Sequence, residues 1–383
     1  MEKDLGDTGR LLLGILLYTA GSAILYVFPA YLADIGIRLA IDEAQQGEIS
    51  AVENIGIGLA SLLSIFWIMR VDRRIAAFAA AVAYAAFNAL AFFSRTFELT
   101  LAARFLTGLC GEGPLFVLAF LVLSTTRNPD RSLGIALTGV VIFGSAVLGA
   151  TPFLSRVPAG SGMLLPLVAV ALLVTVAARW MPRTETPIET VNAAGAASAD
   201  SYGAIIAVVA MAVWFGGPGA FWTFAVDAAT TRQVSMADIS TALAVGNAIG
   251  LVGSILAAWQ GNRWGRAIPI LIATVGLSLS AVAFQHSAHA LALSASLVAF
   301  NFFWNYGTVY QMALVVALDR TGKATAGISA AQVFGFAGGG FVSGYAIVGM
   351  GYGALTAIVA VFAVAGLATF GGVFGRRAVA ITP

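Results

Sequence analysis

Apolar runs of about 20 residues recur along the whole chain, each closed by a short polar stretch. A run of that length, wound as a helix, crosses the hydrocarbon of a bilayer. The pattern predicts twelve spans, over 11–33, 47–69, 75–94, 99–123, 133–154, 162–181, 203–226, 238–260, 267–285, 290–318, 325–348 and 352–374. In lipid every backbone N–H and C=O must be satisfied within its own segment, so these runs predict helices rather than strands. The expected fold class is an all-α membrane protein with twelve transmembrane helices.

One longer polar interruption, rich in Thr, Ala, Ser and Asn, falls near the midpoint and reads as a linker. It divides the chain into a first half over 1–181, a linker over 182–202 and a second half over 203–383. The six spans after the linker begin 190 to 192 residues after the six before it. At an offset of 192, Trp67 falls on Trp259 and Arg74 on Arg266. Two pseudo-symmetric six-helix bundles from a duplicated unit are the simplest explanation.

Composition sharpens this reading. Sixty per cent of residues are hydrophobic and 10% are charged, which would leave a water-soluble domain of this length with far too much exposed apolar surface. The first span could pass for a signal peptide, but it is long for one and has a counterpart half a chain later, so it is expected to be retained. With the N-terminus inside, the inner segments hold fifteen Lys and Arg and the outer loops hold Arg38, Arg95, Arg156 and Arg232. That bias predicts both termini in the cytoplasm of a bacterial inner membrane. The lone cysteine, Cys110, excludes an intrachain disulfide.

Several segments together resemble the major facilitator superfamily of secondary transporters. That family carries a signature, roughly G-x-x-x-D-x-x-G-R-R, between helices two and three. Here the chain reads W-I-M-R-V-D-R-R, with Arg73 and Arg74 in matching places and Arg70 where the acid would stand. The second half repeats it as G-N-R-W-G-R, with Asn262 in the acidic place and Arg266 at the end. Arg104 and Gly108 match an R-x-x-x-G pattern in helix four, and Gly139, Gly144, Gly149 and Pro152 echo a glycine-rich helix five. The resemblance covers essentially the whole chain. It implies alternating access, a small solute held between the halves by helices one, four, seven, ten and eleven, and an inner latch at Arg74 and Arg266.

An ionisable side chain inside a membrane is costly and usually faces a cavity or a partner. Glu53, Arg104 and Glu112 qualify. Glu53 and Arg104 reach similar depth on neighbouring spans, so a buried ion pair is plausible, either as a lock or as a proton or solute site. Arg104 and Glu112 stand about 12 Å apart along one helix, too far to pair without help. Glu112, flanked by Gly111, Gly113 and Pro114, is the best candidate proton carrier; its alternative is a neutral acid bonded to a neighbouring helix.

Helix ten places Asn301, Trp304, Asn305, Thr308 and Gln311 at helical spacing, a stripe suited to a solute cavity or to interhelical hydrogen bonds. Tyr306 and Tyr310 could extend it. Tyr18, Ser22 and Tyr26 share a face of helix one, and Gln332 lies on helix eleven. Trp214, Phe221 and Trp222 surround Gly217 and Pro218 in helix seven, where a broken hydrogen-bond ladder suggests a gating bend or a static kink.

His286 and His289 share a short outer loop without other ligands, so no metal site is expected. T-G-K-A-T at 321–325 lacks the earlier glycine of a phosphate loop. No cofactor, catalytic triad or nucleic-acid patch is legible, and an enzyme is not expected. The expected function is therefore secondary active transport of a small organic solute by a monomer in the lipid bilayer, with protons as the coupling ion. The alternatives are a passive facilitator of the same fold and a non-transporting membrane sensor or assembly partner.

Overall fold

Hydrogen-bond acceptors stand where several of the apolar runs begin. Asp42 accepts from the N–H of Gln45, whose side chain reaches back to Asp42. Asp72 accepts from the N–H groups of Arg74 and Ile75, Thr96 from Leu99, Asn128 from Arg131 and Ser235 from Asp238. Each satisfies a donor that the first turn of a helix cannot satisfy itself. The apolar sequence behind each cap then propagates as helix.

The computed structural model describes residues 6–68, 70–157, 161–182, 201–287, 289–319 and 323–381. Most of the linker expected at 182–202, together with Lys3, Arg183 and Arg320, lies outside the described residues. Twelve long helices appear among those described. In the first half they are α1 Asp7–Leu39, α2 Glu43–Trp67, α3 Arg73–Phe93, α4 Phe97–Leu123, α5 Pro129–Gly149 and α6 Gly162–Trp180. In the second they are α7 Ser201–Thr223, α8 Met236–Gln260, α9 Ala267–His286, α10 Ala290–Leu318, α11 Ile328–Met350 and α12 Ala354–Ile381. Ten are long and apolar enough to cross a membrane. The other two, α2 and α10, have the length but carry Glu43, Glu48 and Glu53, and Asn301, Asn305 and Gln311.

The helices form two compact units, Met1–Thr190 and Val191–Pro383. Within the first, α1 packs on α4 and α5, α2 on α4, and α3 on α4 and α6. Within the second, α7 packs on α11 and α12, α8 on α10, and α9 on α10 and α12. The first–fifth, second–fourth, third–fourth and third–sixth pairings recur in both units, as a duplicated bundle requires.

Several boundaries differ from expectation, α12 running to Ile381 and α2 beginning at Glu43. α1 runs six residues further than the hydrophobic run, through an internal Pro29, to stop at Ala40 with φ 51°. Arg38, expected in a loop, is therefore helical, and so is Asp34. α7 continues through Pro218, which lacks the N–H of its rung in the ladder, and ends at Thr223 rather than near 226. The chain leaves helical geometry at Phe224, before a short helix Ala225–Thr230.

The extension of α1 has a structural purpose. Arg38 donates to the carbonyls of Ser94 and, at 3.1 Å, Ala91, and to Ser161 Oγ at 2.7 Å. In the second unit Arg232 donates to the Phe284 carbonyl and, at 2.8 Å, to Gln285 Oε1. Each guanidinium thus lies over carbonyls at the C-terminal end of the third helix of its unit, where the helix dipole favours a cation. Burial pushes Arg232 below the ordinary arginine value, a desolvation cost that these bonds offset.

Candidate functional site

In the first unit, two glycines let α2 and α4 touch backbone to backbone. A Cβ at Gly56 would come within 2.6 Å of the Phe105 carbonyl oxygen, and one at Gly108 would strike the carbonyl of Glu53. This approach carries the side chain of Glu53 onto that of Arg104. Both Glu53 oxygens accept from Arg104, Oε2 from Nε at 3.1 Å and Oε1 from Nη2. Nη1 donates to Asn88 Oδ1 of α3 at 2.8 Å, and the Tyr31 ring of α1 lies 4.9 Å from the guanidinium carbon. Asn88 is itself held by its amide nitrogen on the Tyr84 carbonyl at 2.8 Å.

Halfway along, α4 changes its winding. Residues Thr107–Glu112 form a π turn, closed by a bond from the Gly113 N–H to the Gly108 carbonyl. Pro114 follows and offers no N–H, so the wider turn redistributes carbonyls that a regular helix would leave unpaired. The consequence corrects the expected separation of Arg104 and Glu112. Their long side chains meet along the compressed face, with Nη2 3.7 Å from Glu112 Oε1.

Glu53, Arg104 and Glu112 are all 0% exposed. Two carboxylates against one guanidinium leave a single negative charge if both acids are ionised. Neither oxygen of Glu112 has a hydrogen-bond partner among the described residues, and the buried hydroxyls of Tyr31 and Tyr84 have none either. An ionised acid left so poorly solvated is expensive. The arrangement therefore suits one proton held between the two acids.

At the offset of 192 the equivalents of Glu53, Arg104 and Glu112 are Val245, Ser296 and Trp304. The ionic chemistry belongs to the first half alone. Sequence reasoning missed Tyr31, Tyr84 and Asn88, although Asn88 is the only amide in the otherwise apolar α3 and could have been flagged.

The second unit gathers aromatics where the first has charge. Trp304 stacks on Phe336 at 5.9 Å and meets Trp222 edge-on at 6.0 Å and Phe215 at 6.3 Å. Trp304, Asn305 and Gln332 are half-buried. Gln311 is fully buried, with no partner for either amide atom among the described residues.

Other candidates are placed differently from expectation. Trp214 donates to Thr274 Oγ1 at 2.8 Å, and Phe221 stacks on Phe300 at 4.2 Å. With Trp222 they are almost fully buried, and these contacts lie within the second unit. Asn301 donates to the Leu297 carbonyl at 3.1 Å and lies against Gly246 of α8, and Asn305 likewise donates to the Asn301 carbonyl at 2.9 Å and lies against Gly250. Tyr306 donates to Gln260 Oε1 at 2.8 Å and Tyr310 to the Ala257 carbonyl at 3.4 Å, which ties both to α8. Arg104 is fully buried and donates to Glu53 and Asn88.

On α1, Ser22 donates to the Tyr18 carbonyl at 2.7 Å, and Tyr18 packs on Phe116 and Phe120 of α4. Tyr18 and Tyr26 keep partial exposure. Around Pro218 the glycines serve close packing: a Cβ at Gly219 would strike the backbone of Phe336, and one at Gly339 the carbonyl of Gly216. Arg74 donates from Nε to the Met181 carbonyl at 2.8 Å. Arg266 heads α9 without capping it through its side chain.

Comparison with known proteins agrees with this architecture. The family model of the Major Facilitator Superfamily matches residues 11–344. Among solved structures, the nucleoside transporter NupG superposes with a TM-score of 0.71 at 13% identity, covering 98% of this chain and 99% of that one. A D-xylose-proton symporter superposes with a TM-score of 0.74 at 17% identity, covering 95% and 96%. At such identities the likeness is one of fold. No curated protein matches the sequence.

Proposed function

Since the chain belongs to the Major Facilitator Superfamily, it is a multi-pass membrane transporter and not an enzyme, and we propose that it moves a small organic solute by proton-coupled alternating access. The observation that carries the coupling is the enclosed trio of Glu53, Arg104 and Glu112, two acids to one guanidinium. Glu53 is engaged by Arg104 through both oxygens, which leaves Glu112 as the acid that exchanges a proton. Tyr18, Ser22, Tyr26, Trp304, Asn305, Gln311 and Gln332 are the groups proposed to meet solute. Amides, hydroxyls and aromatic faces without a free charge suit neutral or aromatic organic molecules. The neighbours named for nucleosides and for D-xylose with a proton handle solutes of that kind.

The basic residues support a bacterial inner-membrane location with both termini in the cytoplasm, and the protein is proposed to work as a monomer. Flux into proteoliposomes tests the function, with sugars, nucleosides and small aromatic solutes offered under an imposed proton gradient. Accumulation that stops when the gradient is collapsed is the expected result. Equilibration indifferent to the gradient would indicate a passive facilitator, and absence of flux across the whole panel would leave a sensor or assembly partner.

A further inference from the structure

The duplicated turns between the second and third helices of each unit differ in one respect that changes their chemistry. In the first, the Asp72 carboxylate accepts from the N–H groups of Arg74 and Ile75, and Arg74 reaches the Met181 carbonyl. In the second, the residue at the Asp72 position is Trp264 and the basic residue is Arg266. No side chain caps α9 there. Among the described residues neither the Arg263 nor the Arg266 side chain has a hydrogen bond or ion pair; Arg263 lies over the Trp259 ring, at 5.1 Å. The second turn thus keeps the cation at the Arg74 position, has Arg263 where the first has Val71, and lacks the carboxylate.

Beside this turn is a recess of about 200 Å³ between α8 and α10. Asn262 and Arg266 form its polar edge, and Ala257, Ala258, Val309 and Ala313 its apolar walls. Next to it Gln260, 7% exposed, has its oxygen fixed by Tyr306 while its Nε2 donor is unpartnered. Trp259 and Trp264 are 69% and 57% exposed. The turn joins two membrane-crossing helices, so these rings stand at the membrane boundary, where amphipathic aromatics settle.

We propose that this turn binds the headgroup phosphate of an anionic phospholipid. Arg263 and Arg266 supply the charge, the phosphate takes the place that the Asp72 carboxylate fills in the first unit, and the apolar recess receives the start of the lipid's glycerol and acyl part. A free phosphate would use the cations but not the recess or the tryptophans, which is why the lipid is the occupant.

Full-length protein in detergent tests this by thermal unfolding and native mass spectrometry, with phosphatidylglycerol, phosphatidylcholine of the same chains, or glycerol 3-phosphate added. Phosphatidylglycerol should bind and raise Tm, and the other two should not. Arg263→Gln with Arg266→Gln should weaken its binding roughly 20- to 30-fold, at about one basic residue's contribution each. Trp264→Asp, which restores the first unit's carboxylate, should remove the lipid dependence while keeping Tm in lipid-free detergent at or above that of the parent. Unchanged phosphatidylglycerol binding in either variant would overturn the proposal, as would an equal shift from phosphatidylcholine or from glycerol 3-phosphate. If the double arginine variant does not accumulate, Trp264→Asp alone decides.

Discussion

Arg104 Nη2 lies 3.7 Å from Glu112 Oε1 although eight residues of one helix separate them. The π turn at Thr107–Glu112 makes the meeting possible, and Gly56 and Gly108 bring Glu53 to the other side of the same guanidinium. One cation is thereby shared by two acids, all three fully buried. Charge balance among them gives the first prediction.

Arg104→Gln leaves two buried carboxylates with no cation and should cost about 3–5 kcal/mol, seen as a large fall in Tm or in folded yield. Glu112→Gln leaves one acid to one guanidinium and should fold at least as well as the parent. Its solute flux should lose dependence on external pH. A Glu112→Gln protein whose flux still follows pH would remove Glu112 from the coupling.

Gly108→Ala places a methyl group against the backbone of Glu53. Backbone cannot swing aside as a side chain can, so α2 and α4 must separate, at about 1–3 kcal/mol. The same separation should disturb the Glu53 to Arg104 pair, so pH-dependent flux should fall together with thermal stability. Stability falling while coupling is intact would show that the ion pair tolerates the shift.

The clamps at Arg38 and Arg232 should each contribute about 1.5–3 kcal/mol through charged hydrogen bonds. Arg232→Met and Arg38→Met should therefore lower Tm. Lysine at either position should recover little, because one ammonium cannot span two acceptors as a guanidinium does. Full rescue by lysine would reduce the clamps to simple charge effects at the helix ends.

Trp304 stands at the Glu112 position of the second unit and keeps partial exposure. Trp304→Ala should reduce solute flux several-fold while leaving its pH dependence in place, the reverse of the Glu112→Gln pattern. Loss of pH dependence in both variants would mean that the two units do not divide solute and proton between them.

Pro218 lies inside an unbroken α7, whose neighbouring glycines press against α11. Pro218→Ala restores a helical donor and should slow transport at normal abundance if α7 bends during the cycle. An unchanged rate would make Pro218 a static packing feature.

The twelve helices, their duplication and the family resemblance were legible in the sequence because each depends on local hydrophobicity or on spacing along the chain. The Glu53 to Arg104 pair was legible as a possibility, since depth in the membrane can be counted from span ends. Which groups complete the site was not. Asn88, Tyr31 and Tyr84 reach Arg104 or Glu112 from α3 and α1, and no periodicity records which face of one helix meets another.

Sequence also named Trp214, Phe221 and Asn301 on residue type alone, and only the structure shows their packing contacts within the second unit. The membrane architecture was thus determined by the sequence itself, because the bilayer acts on each segment separately. The partners of each buried polar group were decided only by tertiary structure, because they depend on close approaches, at Gly56, Gly108 and the π turn, between segments far apart in the chain.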